Sequence, residues 1–396
     1  MNPIILWYIA LAVLLFWGTK ICKRKTWNEE NMSLEHTKCF LGFCAVIVVF
    51  HHMAQRTCAG WLNPRYIRHG LDTFLTAGYP MVATFFFCSG FGLYKSLKTK
   101  PDFLRRFIPV RIIPILVPTM LTLSVYLWLR HLRKIPLRYD NPFQVNGHET
   151  LHPYVWYVPA IITMYLIFYI GFRLFKKDWA GILTVFLGLV AYTVFCIKFR
   201  YGTWWINTPH MFLVGIITAK YEKKIFESCK KFYALKLGIV IILCPILIHL
   251  VNNAGEMYFK KFHHPYNYIY AYRADLFTCI FQVLYTFCFV ALYYLLSMKL
   301  RIGNKMLSFL GKFTLELYLT HGIFIHMFGY YMIYEGVKPI HYIENVPLFV
   351  LVVMGLSIPA AFILSLIDKQ IGKLLRPKNK KKTGEIEPKT GEEKNI

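Results

Sequence analysis

Acidic residues are scarce in this chain: 20 Asp and Glu stand against 46 Lys and Arg in 396 residues, for a formal net charge of +26. Charge of either sign is thin, at 17%, while hydrophobic residues make up 56% and mean hydropathy is +0.43. An ordinary soluble domain, with about 25% charged residues, is excluded. A strong basic excess can mark a nucleic-acid binder. Here the basic residues fall between apolar runs, where membrane topology and attraction to anionic lipid account for them, so no nucleic-acid partner is expected.

Other absences narrow the field further. Of ten cysteines, only Cys58 falls in an expected outer loop, so no extracellular disulfide framework is implied. There is no CxxC spacing, and the one HExxH string, His148 to His152, falls in an outer segment outside the expected helices, so no metal site is expected. The first apolar segment lacks the basic n-region and small-residue cleavage site of a signal peptide, so it reads as a retained helix. The two halves show no internal correspondence, which speaks against a transporter built from repeats. Only a short stretch follows the last apolar segment, so no appended extracytoplasmic domain is expected.

What is present is a series of apolar segments long enough to span a bilayer, about 17 to 25 residues each. They lie near 3–21, 37–54, 73–94, 107–129, 154–172, 178–197, 203–220, 234–252, 271–298, 305–333 and 346–368. The expected fold is therefore an all-α, multi-pass membrane protein of about eleven helices. Alternate loops are the more basic, among them those holding Lys23 to Lys25, Lys98 to Arg106, and Lys220 to Lys236. The positive-inside rule then puts the N-terminus outside and the C-terminus in the cytoplasm. Residues 1–32 read as an extra helix and basic loop, 33–368 as the main transmembrane domain, and 369–396 as a disordered basic tail.

Four stretches carry chemistry. The run Lys38 to Met53 ends on His51 and His52. At about 1.5 Å per residue, His52 lies roughly 20 Å from Lys38, past the bilayer midplane. Ionisable groups at that depth mark functional sites by default, and imidazole suits proton transfer near neutrality. For either residue alone, a histidine simply hydrogen-bonded between helices is the plainer alternative. A second stretch, Phe85-Phe86-Phe87-Cys88-Ser89-Gly90-Phe91, closes on small residues that favour helix contact.

The third stretch holds Arg105, Arg106 and Arg111 with Pro114 and Pro118; the prolines break the helix and leave Arg111 about one turn inside the apolar layer. A guanidinium there either meets an anion such as phosphate or snorkels to the surface. In the fourth, Leu310 to His321, Glu316 and His321 are five residues apart and so not on one stripe. They border one cavity from two sides, or Glu316 is a hydrogen-bonded tie between helices. Outer segments 55–72, 130–153 and 252–274 are rich in aromatic, basic and His residues, among them Trp61, Arg65, Arg68, His148, His152, His263 and His264, with Tyr154 and Trp156 just past the second. Membrane-surface aromatic belts and a sugar-binding face use the same residue types.

Taken in order, these stretches resemble membrane-bound acyltransferase family three, bacterial proteins that O-acylate carbohydrates. The resemblance covers roughly 33–368 and rests on the helix ending His51-His52, the Phe-Phe-Phe-Cys-Ser-Gly-Phe block, the Arg- and Pro-containing stretch, and Leu310-Gly-Lys-Phe-Thr-Leu-Glu-Leu-Tyr-Leu-Thr-His321. Trp156, Tyr157, Tyr165, Phe212 and Gly215 also look like family positions. The chain departs from the pattern twice. Counting back from His52 puts Leu41 where the family has a basic residue, with Lys38 one turn earlier, and the family's second arginine of Arg-x-x-Arg is Pro114 here.

The resemblance implies a ten-helix core, preceded here by one extra helix, in the plasma membrane. It implies acetyl-CoA or another acyl-CoA (succinyl among the alternatives) as cytosolic donor, no metal, and a carbohydrate hydroxyl on the outer face as acceptor. In that frame Lys38, Arg105, Arg106 and Arg111 hold the CoA phosphates. His52, aided by His51, is the general base or the site of an acyl intermediate. Ser89, Trp156, Glu316, Tyr318 and His321 support the substrate or the structure. Separate glycan-synthesis proteins are candidate partners for any second step. The rival reading is a proton-coupled carrier or polysaccharide exporter, which would release no thiol from acetyl-CoA.

Overall fold

A computed structural model describes residues 4–132, 154–262, 267–329 and 341–375. Thirteen helices account for nearly all regular structure among them: α1 (Ile4–Phe16), α2 (Leu34–Gln55), α3 (Gly78–Thr99), α4 (Ile113–Leu132), α5 (Tyr157–Leu174), α6 (Asp178–Lys198), α7 (His210–Lys220), α8 (Glu222–Lys230), α9 (Tyr233–Phe262), α10 (Tyr268–Ser297), α11 (Lys305–Leu310), α12 (Thr314–Phe328) and α13 (Val346–Leu375). Among the described residues eight helical stretches are long and apolar enough to cross a membrane, and the all-α polytopic class holds. The apolar segments expected at 3–21, 203–220 and 305–333 hold shorter helices, α1, α7 and α12, of 13, 11 and 15 residues. α13 continues past the expected end at 368 to Leu375. The outer-loop residues His148, His152, His263 and His264 and the tail beyond Leu375 lie outside the described residues.

One small element has no sequence forewarning. Lys20–Ile21 (β1) pairs antiparallel with Leu300–Arg301 (β2), clamping the chain after α1 to the start of α11. Two residues per strand carry no alternation of apolar and polar positions long enough to read.

α2 is the axial helix. In its apolar window 78% of residues are buried, against 11% in α9, which lies at the periphery. Ser33 caps it by accepting from the His36 backbone N–H, and Glu35 sits in its first turn where the helix dipole favours an anion. Around α2 the helices pair as α3 with α7, α5 with α6, α9 with α10, and α12 with α13.

Close pairing depends on glycine. A Cβ at Gly90 of α3 would overlap the Phe212 carbonyl of α7, and one at Gly215 would overlap the Phe87 carbonyl, so the two backbones touch reciprocally. A Cβ at Gly42 would lie 2.7 Å from the Leu307 carbonyl oxygen, and one at Gly311 would overlap the Lys38 carbonyl. α2 and α11 thus also meet backbone to backbone. The Arg- and Pro-bearing stretch begins with a π-helical turn at Ile108–Ile112, with Pro118 inside the helix that follows. Proline removes a backbone donor and crowds the preceding turn, which favours such widened registers.

Candidate active site

Leu41, Ala45 and Val48 recur at helical spacing along one side of α2 and line a cavity of about 220 Å³. Ser89 of α3, Ile115 of α4, Tyr157 and Tyr165 of α5, and Tyr318 of α12 complete most of its wall. The Ser89 side chain interacts with both Tyr157 and Tyr165. The volume falls below the roughly 300–1,000 Å³ of a pocket for a drug-sized ligand. It suits a thin chain, and its few polar groups are hydroxyls.

His52 continues the cavity stripe of α2 by one more turn. It is buried, and its ring centroid is 6.4 Å from that of the cavity-lining Tyr318. His52 Nδ1 lies 2.7 Å from Nε2 of His321, and His321 Nδ1 lies 3.0 Å from the Leu317 carbonyl oxygen. These contacts fix proton positions for two neutral rings. A carbonyl only accepts, so His321 Nδ1 carries a proton and donates to Leu317 O. His321 Nε2 then bears a lone pair and accepts from His52 Nδ1–H, which places the basic lone pair of His52 on Nε2. The pair is a one-directional chain running from His52 through His321 to the Leu317 carbonyl.

Tyr154 covers both rings, stacked 4.0 Å from His52 and 5.1 Å from His321. Tyr318 in turn donates its hydroxyl proton to the Tyr154 carbonyl oxygen, tying this cover to the cavity wall. Gly322 makes room for it: a Cβ there would lie 2.6 Å from the Tyr154 ring and 2.5 Å from the Tyr126 hydroxyl.

His51 has a different environment. Its Nδ1 is 2.9 Å from the Phe74 carbonyl, to which it donates, and its Nε2 is 3.2 Å from Gln55 Nε2, from which it accepts. Both nitrogens are engaged, and the ring occupies space that any side chain at position 78 would take, which is why Gly78 stands there.

At the other end of the cavity, Arg111 is half-buried in the π-helical turn. Its guanidinium donates to Ser96 Oγ at 3.2 Å and lies over the Phe103 ring at 5.6 Å, while its buried Nε makes no hydrogen bond. Ile115, one turn on, lines the cavity. Lys38 is exposed on the same α2 stripe, one turn before Leu41, so apolar Leu41 is cavity wall and the charge lies one turn beyond it. Arg105 and Arg106 are exposed on the preceding connection and do not line the cavity.

Glu316 and Trp156, expected to support the substrate or the structure, lie outside the cavity wall. Glu316 is not in the cavity wall, although its neighbours Thr314 and Leu315 are; it faces the end of α13, near Asp368 and Lys369. Trp156 packs edge-on against Tyr157 and at 6.2 Å from Trp205, behind the wall. Tyr154, by contrast, sits over both histidines, whereas the sequence offered it only as a belt or sugar-face aromatic. Its one signal is position, two residues before Trp156. Among the described residues no group of three His, Cys, Asp or Glu is placed to hold a metal ion.

Fold and site together define a multi-pass helical membrane protein with a narrow chamber and, one turn of α2 beyond its wall, an oriented histidine. Residues 42–366 match the family model described as an acyltransferase domain, that of family three. The match spans most of the chain, which belongs to this family, and the expected recognition holds. No curated protein and no solved structure matches the chain.

Proposed function

We propose that this protein is an integral membrane O-acyltransferase that moves an acyl group, acetyl by preference, from cytosolic acyl-CoA to a hydroxyl of a carbohydrate on the opposite face of the plasma membrane. The observation that carries the reading is the chain Leu317 O, His321, His52, one turn of α2 beyond the wall of a narrow chamber in an acyltransferase-family fold. Arg111 and Lys38, each one turn beyond the cavity wall, with Arg105 and Arg106 nearby, hold the CoA phosphates, and the pantetheine arm threads the stripe Leu41, Ala45, Val48. His52 Nε2 takes the proton of the acceptor hydroxyl as its oxygen attacks the thioester carbon. The tetrahedral intermediate collapses with loss of the CoA thiolate, which is protonated by the imidazolium. Tyr154 and Tyr318 hold the His52 ring in place, while His51 braces α2 against α3.

Purified protein given labelled acetyl-CoA and an extract of cell-surface glycan should release free thiol and transfer label to the glycan. His52→Ala should reduce both by roughly 10²- to 10⁴-fold while CoA binding persists. A folded His52→Ala protein with near-normal turnover would overturn the assignment. Label trapped on His52 without acceptor would identify an acyl-histidine route.

A further inference from the structure

On the side of α2 away from the chamber lies a second cleft, of about 640 Å³. Four cations surround it: Lys20 on β1, Arg301 opposite it on β2, Lys305 at the start of α11, and Lys312 just past its end. Only two acids, Glu30 and Glu35, share the wall. Among the described residues none of the four cations has an ion-pair partner, whereas Lys95 and Lys98 meet Glu222 and Asp178 at 2.6 Å each. Four cations without an ion-pair partner, against two acids, leave the cleft a net positive lining suited to a compact anion.

Two features say which anion. First, the cleft does not communicate with the chamber. Its α2 wall is Glu35, His36 and Cys39, and Cys39 lies about 200° round the helix from Leu41. Between them α2 and α11 are in backbone contact at Gly42 and Gly311, which leaves no passage for a pantetheine arm. Second, the cleft opens at the foot of α1, whose Ile5, Ile9, Val13 and Phe16 form an exposed apolar stripe running down to it. Trp17 and Ile21, 74% and 77% exposed, flank the mouth. A basic pocket between helices, continuous with an apolar lipid-facing stripe, has the chemistry of a phospholipid headgroup site.

We propose that this cleft seats the phosphodiester headgroup of an anionic phospholipid whose acyl chains lie along the exposed face of α1. Arg301 and Lys20 reach the phosphate from the ribbon, and Lys305 and Lys312 from α11. The lipid thereby cements α1 and the ribbon to the core. This holds whatever reaction the chamber performs.

The test uses full-length protein in nanodiscs of equimolar phosphatidylglycerol and phosphatidylcholine, extracted into detergent and washed, with retained lipid measured by mass spectrometry. Wild type should retain phosphatidylglycerol over phosphatidylcholine. Lys20→Gln/Arg301→Gln/Lys305→Gln/Lys312→Gln should lose that preference by about tenfold or more, and Lys223→Gln/Lys224→Gln, a charge loss on α8, should keep it. Equal retention of the two lipids by wild type would overturn the proposal without any variant, so a quadruple variant that fails to fold leaves it testable. Displacement of phosphatidylglycerol by millimolar inorganic phosphate or CoA would show a soluble-anion site instead and overturn the lipid assignment.

Discussion

Adjacent histidines on a helix point about 100° apart, and in this protein that angle separates two jobs. His51 donates to the Phe74 carbonyl and accepts from Gln55; His52 faces His321. The direction of the His52–His321 bond follows from one carbonyl, Leu317 O, which can only accept. In the proposed reaction His321 is therefore a positioning residue. Replacing it by Ala should lower acyl transfer by about 10- to 100-fold, the scale of losing an outer-shell orienting partner. His321→Gln should recover part of the rate, because an amide oxygen can accept from His52 Nδ1–H, and a merely space-filling role would show no such rescue. At the cavity mouth, Arg111→Ala should weaken CoA binding by about 1.5–3 kcal/mol, and Arg111→Lys should restore only part because the planar fork is gone. Calorimetry with CoA and with its 3′-dephosphorylated form checks the cause: equal losses for both would mean that Arg111 does not read the 3′-phosphate.

At the scale of elements, helix approach is set by which glycines face a neighbour. Gly90 and Gly92 sit two residues apart on α3, yet a Cβ at Gly90 would overlap the Phe212 carbonyl and one at Gly92 would meet nothing within 4 Å. Gly90→Ala should destabilise by about 1–3 kcal/mol, the usual penalty for overpacking. Gly92→Ala should be neutral or slightly stabilising, as glycine is a poor helix former. Thermal unfolding of the two variants in detergent distinguishes them directly. The π-helical turn belongs to this scale too: prolines on either side of Arg111 widen the register, and the arginine is thereby carried at the end of the cavity rather than on a regular helix face.

For the whole molecule, the open question of function is which face is which. The bias of basic loops places Lys176, between α5 and α6, in the cytoplasm and Arg200, after α6, outside; both are exposed. Single cysteines at these positions should label oppositely with a membrane-impermeant maleimide in intact cells. Cys58, on the Arg200 side by the same bias, will interfere little, since it is buried and burial pushes its thiol up to about 11. Labelling of position 176 from outside would exchange the donor and acceptor faces of the proposed reaction.

Apolar runs separated by basic loops were enough for the sequence to establish a multi-pass helical protein, because a bilayer requires every spanning backbone group to be satisfied within its own helix. Motif order was enough for the family, and the depth of His52 made it a candidate. Tertiary structure decided what depends on neighbours distant in the chain. It joined His52 to His321 across 269 positions of sequence, set Tyr154 over both, turned Glu316 away from the cavity, and brought Lys20 and Arg301 together on a two-residue ribbon. Periodicity reports only which side of a helix is apolar; which partner that side meets is fixed by how the helices pack, and glycines distant in sequence set how closely they do so.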